Sequence, residues 1–186
     1  MSPTARETLV AELREHALVL GEVTLSSGAT AQYYIDARRA LLRPAGFRAA
    51  GELLAETAVR VGAQAVGGPV MAAIPLACAA IAVPQGDGLV GFFVRKETKS
   101  HGMQRMVEGP VGKGTKALVV EDTVTTGGST IEAVGRMREQ GLEIVGGVCV
   151  VDRLAGGTEA ISEAIGGPFE ALVTIDEIYP DRPDRD

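Results

Sequence analysis

Apolar residues recur along this chain with two different periods, and the switches between them mark its elements. Residues 4–20 (TARETLVAELREHALVL) place apolar side chains three and four apart, which predicts an amphipathic helix with Gly21 as its stop. Short strands are predicted near 23–25 and 33–36. Pro44 suits the first turn of a helix running to about Val61, again closed by a glycine. The segment AQAVGG (63–68) predicts a short strand, and 75–83 a helix opened by Pro75. Continuous apolar runs at 89–94, 116–121, 144–152 and 169–174 predict strands buried on both faces. Helical patterns at 128–140 and 158–165 separate the last three of them. Strands alternating with helices from 44 onward predict an α/β fold with a central parallel sheet flanked by helices. Neither an internal repeat nor a linker interrupts it. The polar tail YPDRPDRD is expected to fray.

One connection breaks the alternation. Roughly 20 residues between the runs ending at Val94 and starting at Lys116 carry little apolar periodicity, and loops that long usually serve as lids or binding loops. Its residues 95–105 hold Arg95, Lys96, Lys99 and Arg105 against Glu97, a local balance of 4 − 1 = +3 on a chain whose net charge is −6. A positive island on an acidic protein suits one localised anion, and the overall sign disfavours nucleic acid.

The densest chemistry is Leu118 to Thr130 (LVVEDTVTTGGST). An apolar run ends in adjacent carboxylates, Glu121 and Asp122. A loop of hydroxyl-bearing residues and glycines follows, then a helix. Glycines let backbone N–H groups converge on an anion, and the helix N-terminus adds partial positive charge. The acids would repel a phosphate, so they should face a ribose diol or a metal. No Walker lysine is present.

Composition narrows the setting. A 186-residue chain with 46% hydrophobic residues suits one domain, and no stretch is long enough to span a bilayer. Charges inside the N-terminal apolar pattern argue against a secretory segment. Cys78 and Cys149 both lie in apolar runs and are expected to be reduced core residues of a cytoplasmic protein. Two cysteines and two histidines far apart give no zinc pattern, and His16 reads as structural.

The 118–130 stretch resembles the phosphoribosyl-diphosphate motif of type I phosphoribosyltransferases. Arg95 to Gly102 (RKETKSHG) resembles the catalytic loop of orotate phosphoribosyltransferases, RK-x-x-K-x-HG. Residues 25–38 (LSSGATAQYYIDAR) resemble that family's N-terminal orotate segment, and Gly67 to Pro75 its GP-x-x-x-x-IP loop. Ser26 and Ala72 stand where the family often has lysines, and Ile35 where a second aromatic is common.

The resemblance implies a single type I phosphoribosyltransferase domain over 1–186, with an N-terminal hood over about 1–40. It implies transfer of the 5-phosphoribosyl group from 5-phosphoribosyl 1-diphosphate to orotate, giving orotidine 5′-phosphate and diphosphate. Lys99, His101 and Asp122 are the expected catalytic residues. Arg95, Lys96, Lys99 and His101 are expected to hold the diphosphate, and Glu121 and Asp122 the ribose. Thr123, Val124, Thr125, Thr126, Gly127, Gly128 and Ser129 complete the phosphoribosyl-diphosphate site. Tyr33, Tyr34, Thr125 and Arg153 are expected to contact orotate, a tyrosine face stacking on the ring and Arg153 pairing with the carboxylate. Mg²⁺ is expected to enter through the substrate, with no direct protein ligand assigned. A cytoplasmic homodimer sharing the 95–105 loop in trans completes the picture, without nucleic-acid or membrane partners. Rival readings are a purine or uracil phosphoribosyltransferase, or a non-catalytic sensor that keeps the pocket.

Overall fold

The computed structural model describes residues 3–24, 30–96 and 106–185. Helix α1 (Ala5–His16) opens on a reciprocal cap: the Thr4 hydroxyl accepts from the Glu7 N–H, and the Glu7 carboxylate accepts from the Thr4 N–H. It ends earlier than residue 20. Leu18, Val19 and Leu20 pair instead with Ile35, Tyr34 and Tyr33, so β1 (Leu18–Thr24) and β2 (Thr30–Ile35) form an antiparallel ribbon. Gly21, at φ 119°, lies in the register shift between Leu20 and Val23 rather than stopping a helix.

Two helices follow, α2 (Arg38–Leu41) and α3 (Pro44–Arg60), the second with Pro44 in its first turn as expected. Then come β3 (Ala65–Pro69), α4 (Ala73–Ala82), β4 (Val90–Val94), β5 (Val107–Glu108) and β6 (Lys116–Val124). Helix α5 (Gly128–Glu139), β7 (Glu143–Asp152), α6 (Gly157–Ile165), β8 (Phe169–Thr174) and α7 (Ile175–Ile178) complete the order. Helix α4 starts two residues before Pro75, which the first turn tolerates because its N–H groups lack intrahelical partners.

The main sheet runs β5-β4-β3-β6-β7-β8, and every neighbouring pair is parallel except β4 with β5. Val66, Leu118, Val120, Val148 and Val150 face one core cluster, which also takes Leu9 and Leu13 of α1 and Tyr33 and Ile35 of β2. The ribbon and first helix are thus fastened to the sheet by shared apolar burial. Ala117, Val119, Cys149, Met137 and Ile161 form the cluster on the opposite face.

Two further expectations change. Cys78 is exposed, because it lies with Ile74 and Ile81 along a cleft between α4 and β4 rather than inside the core; Cys149 is buried as expected. The C-terminal tail is anchored rather than frayed. Tyr179 packs edge-on against Tyr33 at 5.3 Å between ring centres, and Arg182 pairs with Asp176 at 2.8 Å.

Candidate active site

Strands β3 and β6 are neighbours, yet the chain leaves β3 toward β4 on one side and continues from β6 to β7 on the other. Open parallel sheets bind ligands at such a reversal, beyond the strands' carboxyl ends. Both family-like loops emerge there. At the end of β3, glycines permit close strand approach: a Cβ on Gly67 would lie 2.1 Å from the Phe92 carbonyl oxygen, and one on Gly68 2.2 Å from that of Val120. The next loop contains a cis Val70–Met71 peptide bond.

Strand β6 extends three residues past its expected end. Thr123 and Val124 pair with Val151 and Asp152 of β7, so Glu121 and Asp122 lie inside the strand rather than after it. Successive strand residues face opposite sides, and the two acids therefore differ. Glu121 is buried. Its Oε2 accepts from the Thr130 hydroxyl at 3.0 Å and the Ser129 hydroxyl at 3.4 Å. Burial and the neighbouring Asp122 push the Glu121 carboxyl up to about 7, against these hydrogen bonds. Asp122 is half-buried and accepts from the Thr123 N–H at 2.6 Å. Burial raises its pKa too, opposed in part by the Thr123 hydrogen bond and the Arg38 charge.

Gly127 begins α5 in the left-handed region at φ 79°. A Cβ there would meet Ile161 Cγ1 at 2.8 Å and the Gly157 carbonyl oxygen at 2.9 Å, so position and shape both require glycine. Thr125, Thr126, Gly128 and Ser129 are exposed around it, at the amino end of a 12-residue helix. First-turn N–H groups and hydroxyls there have the chemistry of an anion cradle.

The basic loop starts from the same edge. The Arg95 N–H donates to the Met106 carbonyl at 2.8 Å, joining the two ends of the connection. Arg95 also pairs with Glu108 at 3.7 Å. A cleft of about 350 Å³ brings Arg95 and Lys96 together with Ser129, Glu132 and Arg136 of α5. The sequence reading missed Arg136, which donates to the Arg95 carbonyl and to Glu132. Its signal was the 129, 132, 136 spacing, one helix face. Lys99, His101 and Ser26 lie outside the described residues.

Arg153 is placed beside the cradle by register. Val124 pairs with Asp152, and the Arg153 N–H donates to the Val124 carbonyl at 2.9 Å. Tyr33 and Tyr34 face opposite ways. Tyr33 is buried, with the Arg153 guanidinium carbon 5.0 Å from its ring centre, so one face of the ring is already engaged. Tyr34 is half-buried, and Arg38, just after β2, feels the charge of Asp122. Arg38 is held by Asp36 at 2.8 Å. The sequence reading missed both; they follow β2 closely, but nothing in the pattern announced their nearness to β6.

A family model described as "Phosphoribosyl transferase domain" matches residues 48–168. The orotate phosphoribosyltransferase of Corynebacterium glutamicum is 48% identical over 174 residues, covering 94% of both chains. That of Streptomyces avermitilis is 43% identical over 175 residues, covering 93% of this chain and 96% of its own. The crystal structure of Mycobacterium tuberculosis orotate phosphoribosyltransferase in complex with 5-phospho-α-D-ribosyl 1-diphosphate superposes with a TM-score of 0.80 at 36% identity, covering 94% of this chain and 98% of that one. The same enzyme in complex with Fe(III) dicitrate gives a TM-score of 0.85 at 40% identity, with 94% and 99% coverage. The chain belongs to the phosphoribosyl transferase family and, within it, to the orotate phosphoribosyltransferases.

Proposed function

We infer that this chain transfers the 5-phosphoribosyl group from 5-phosphoribosyl 1-diphosphate to orotate, forming orotidine 5′-phosphate and diphosphate, a step of UMP biosynthesis. The observation that carries the site reading is the cleft uniting Arg95 and Lys96 with the amino end of α5. One anion site at Thr125 to Ser129 and one at the basic loop suit a molecule phosphorylated at both ends, with the acids of β6 between them. The C1′–O bond to diphosphate breaks and an N1–C1′ bond to orotate forms, so no protein nucleophile is required. Catalysis then rests on positioning and on stabilising the departing charge.

In this reading Arg95, Lys96, Lys99 and His101 take the diphosphate, and Asp122 faces the ribose and its developing positive charge. Glu121 orders the loop from behind through Thr130 and Ser129, and joins Asp122 at the ribose as substrate enters. Thr123 and Val124 fix the strand end, and Thr125, Thr126, Gly127, Gly128 and Ser129 receive the 5′-phosphate. Tyr34, Thr125 and Arg153 contact orotate; Tyr33 acts from beneath, its ring holding Arg153.

Mg²⁺ suits this donor set. Such an ion takes one or two protein carboxylates and otherwise substrate oxygens and water. Asp122 is the protein carboxylate best placed to hold it; the ion would neutralise diphosphate charge.

The chain acts as one domain over 1–186, its first 40 or so residues forming the hood over the site. We assign it to the cytoplasm as a homodimer; no described helix is long and apolar enough to cross a membrane. The apolar face bearing Ile74, Cys78 and Ile81, beside a cleft of about 390 Å³, supports a self-association surface near the loop's base. Orotate consumption measured by absorbance with 5-phosphoribosyl 1-diphosphate and Mg²⁺ tests the activity. Turnover of uracil or a purine in place of orotate would overturn the base assignment.

A further inference from the structure

Arg153 is gripped from an unexpected direction. Its Nη2 donates to the Tyr33 phenol oxygen at 3.2 Å, and that oxygen lies 2.9 Å from both carboxylate oxygens of Asp184, near the C-terminus. The polarity of this series is fixed by chemistry. Arginine only donates and an ionised carboxylate only accepts, so the single phenolic proton points to Asp184 and the phenol's lone pairs face Arg153. Asp184 is itself held by Arg182, whose Nη1 lies 2.9 Å away, while Arg182 Nε donates to Asp176 at 2.8 Å. Burial opposes ionisation of Asp184, but the hydrogen bonds from Arg182 and Tyr33 outweigh it and keep the carboxyl below its ordinary pKa. A charged acceptor behind the phenol makes it a better acceptor for Arg153.

The grip leaves Arg153 incomplete. Its Nε is buried and has no hydrogen-bond partner among the described residues. Such a donor costs free energy until an acceptor arrives, and a planar carboxylate is the acceptor a guanidinium fork matches. The guanidinium is also stacked over the Tyr33 ring at 5.0 Å, which restricts how the fork can turn.

We propose that Asp184, acting through Tyr33, positions Arg153 for the substrate carboxylate, so that the C-terminal segment helps determine specificity for orotate. This rests on the reading of Arg153 as the orotate contact. It makes Asp184 and Tyr33 positioning residues, because neither touches the reacting atoms.

Steady-state kinetics on the full chain test it with Tyr33→Phe, Asp184→Asn, the double variant and Arg153→Ala. Tyr33→Phe keeps the ring and removes the relay oxygen. Both single variants should raise KM for orotate about 5- to 10-fold, the scale of one ordinary hydrogen bond acting through Arg153. KM for 5-phosphoribosyl 1-diphosphate should scarcely move, and thermal melts should show each variant still folded at the assay temperature. The double variant should be no worse than the more affected single one, because the two residues act in series. If Arg153→Ala raises the orotate KM and the other variants leave it unchanged, the relay is wrong and the orotate assignment stands. If Arg153→Ala itself leaves orotate KM unchanged, the assignment falls and the proposal with it. Equal losses for both substrates would assign Tyr33 and Asp184 to the fold alone and overturn the positioning role.

Discussion

The Thr130 hydroxyl donates to Glu121 Oε2 at 3.0 Å, and both side chains are buried. This hydrogen bond ties the middle of β6 to the first turn of α5. It therefore sets the distance between the acid pair and the phosphate cradle. Thr130→Val removes the donor while keeping the shape, leaving Oε2 with the longer Ser129 contact of 3.4 Å. The expected loss is about 1–3 kcal/mol in unfolding free energy, the cost of stranding a buried acceptor, with weaker 5-phosphoribosyl 1-diphosphate binding. Thr130→Ser should recover most of both. Denaturant titration and calorimetry check it; a Thr130→Val protein binding as well as the parent would show that the tie is not needed.

The pH dependence of stability follows from Glu121. Its carboxyl titrates near 7 in the fold against an ordinary value of 4.5, so the folded state holds the proton more tightly than the unfolded chain. Below the ordinary value both states are protonated and no stability is lost. Between the two values the unfolded chain releases its proton first, and stability falls as pH rises. Glu121→Gln removes that dependence. The ligand-free variant should gain on the parent by about 1–3 kcal/mol at pH 8, with the gain shrinking toward pH 5. Thermal melts at both pH values measure it. A constant difference across that range would mean the titration is not coupled to folding.

Much of this architecture was readable from the chain because parallel strands are continuous apolar runs and their helices carry glycine stops. Local signals failed where tertiary pairing overrode them. Leu18 to Leu20 continue a helical pattern, yet pairing with Tyr33 to Ile35 draws them into a strand. Strand β6 runs past its acids because β7 offers Val151 and Asp152 as partners. The motifs of the candidate site were legible, since glycine-hydroxyl turns and basic loops have characteristic spacing. Contacts joining distant segments were not. Arg136 with Arg95, Glu121 with Thr130, and Asp184 with Tyr33 exist only after folding, and no periodicity encodes them.

Gly127→Ala should be far more damaging than an ordinary loop substitution. The added methyl meets Ile161 and Gly157, and the residue would be forced to φ near 79°. The backbone term alone is worth about 1 kcal/mol and the overlap adds to it. The expected result is at least ~10-fold weaker 5-phosphoribosyl 1-diphosphate binding, because the first N–H groups of α5 shift from the anion. Isothermal calorimetry with folded variant protein measures this. Unchanged affinity would place the 5′-phosphate elsewhere.

The basic loop supplies the last test, because it bears on both catalysis and assembly. Lys99→Ala should lower kcat by at least ~10²-fold with little change in orotate binding, since its partner charge grows as diphosphate leaves. Asp122→Asn should be similarly inactive through loss of charge at the ribose. If the loop serves the partner's site, mixing the two inactive proteins creates dimers in which one site has both residues intact and the other lacks both. Random subunit exchange makes about half the dimers mixed, so roughly a quarter of all sites should recover. If the loop serves its own site, every site keeps one lesion and activity stays absent. Exchange is verified independently by mass-tagged subunits under native mass spectrometry. Confirmed exchange without recovered turnover would eliminate the shared site. It would leave the orotate reaction standing, because that rests on the cradle, the acids and Arg153 rather than on which subunit lends the loop.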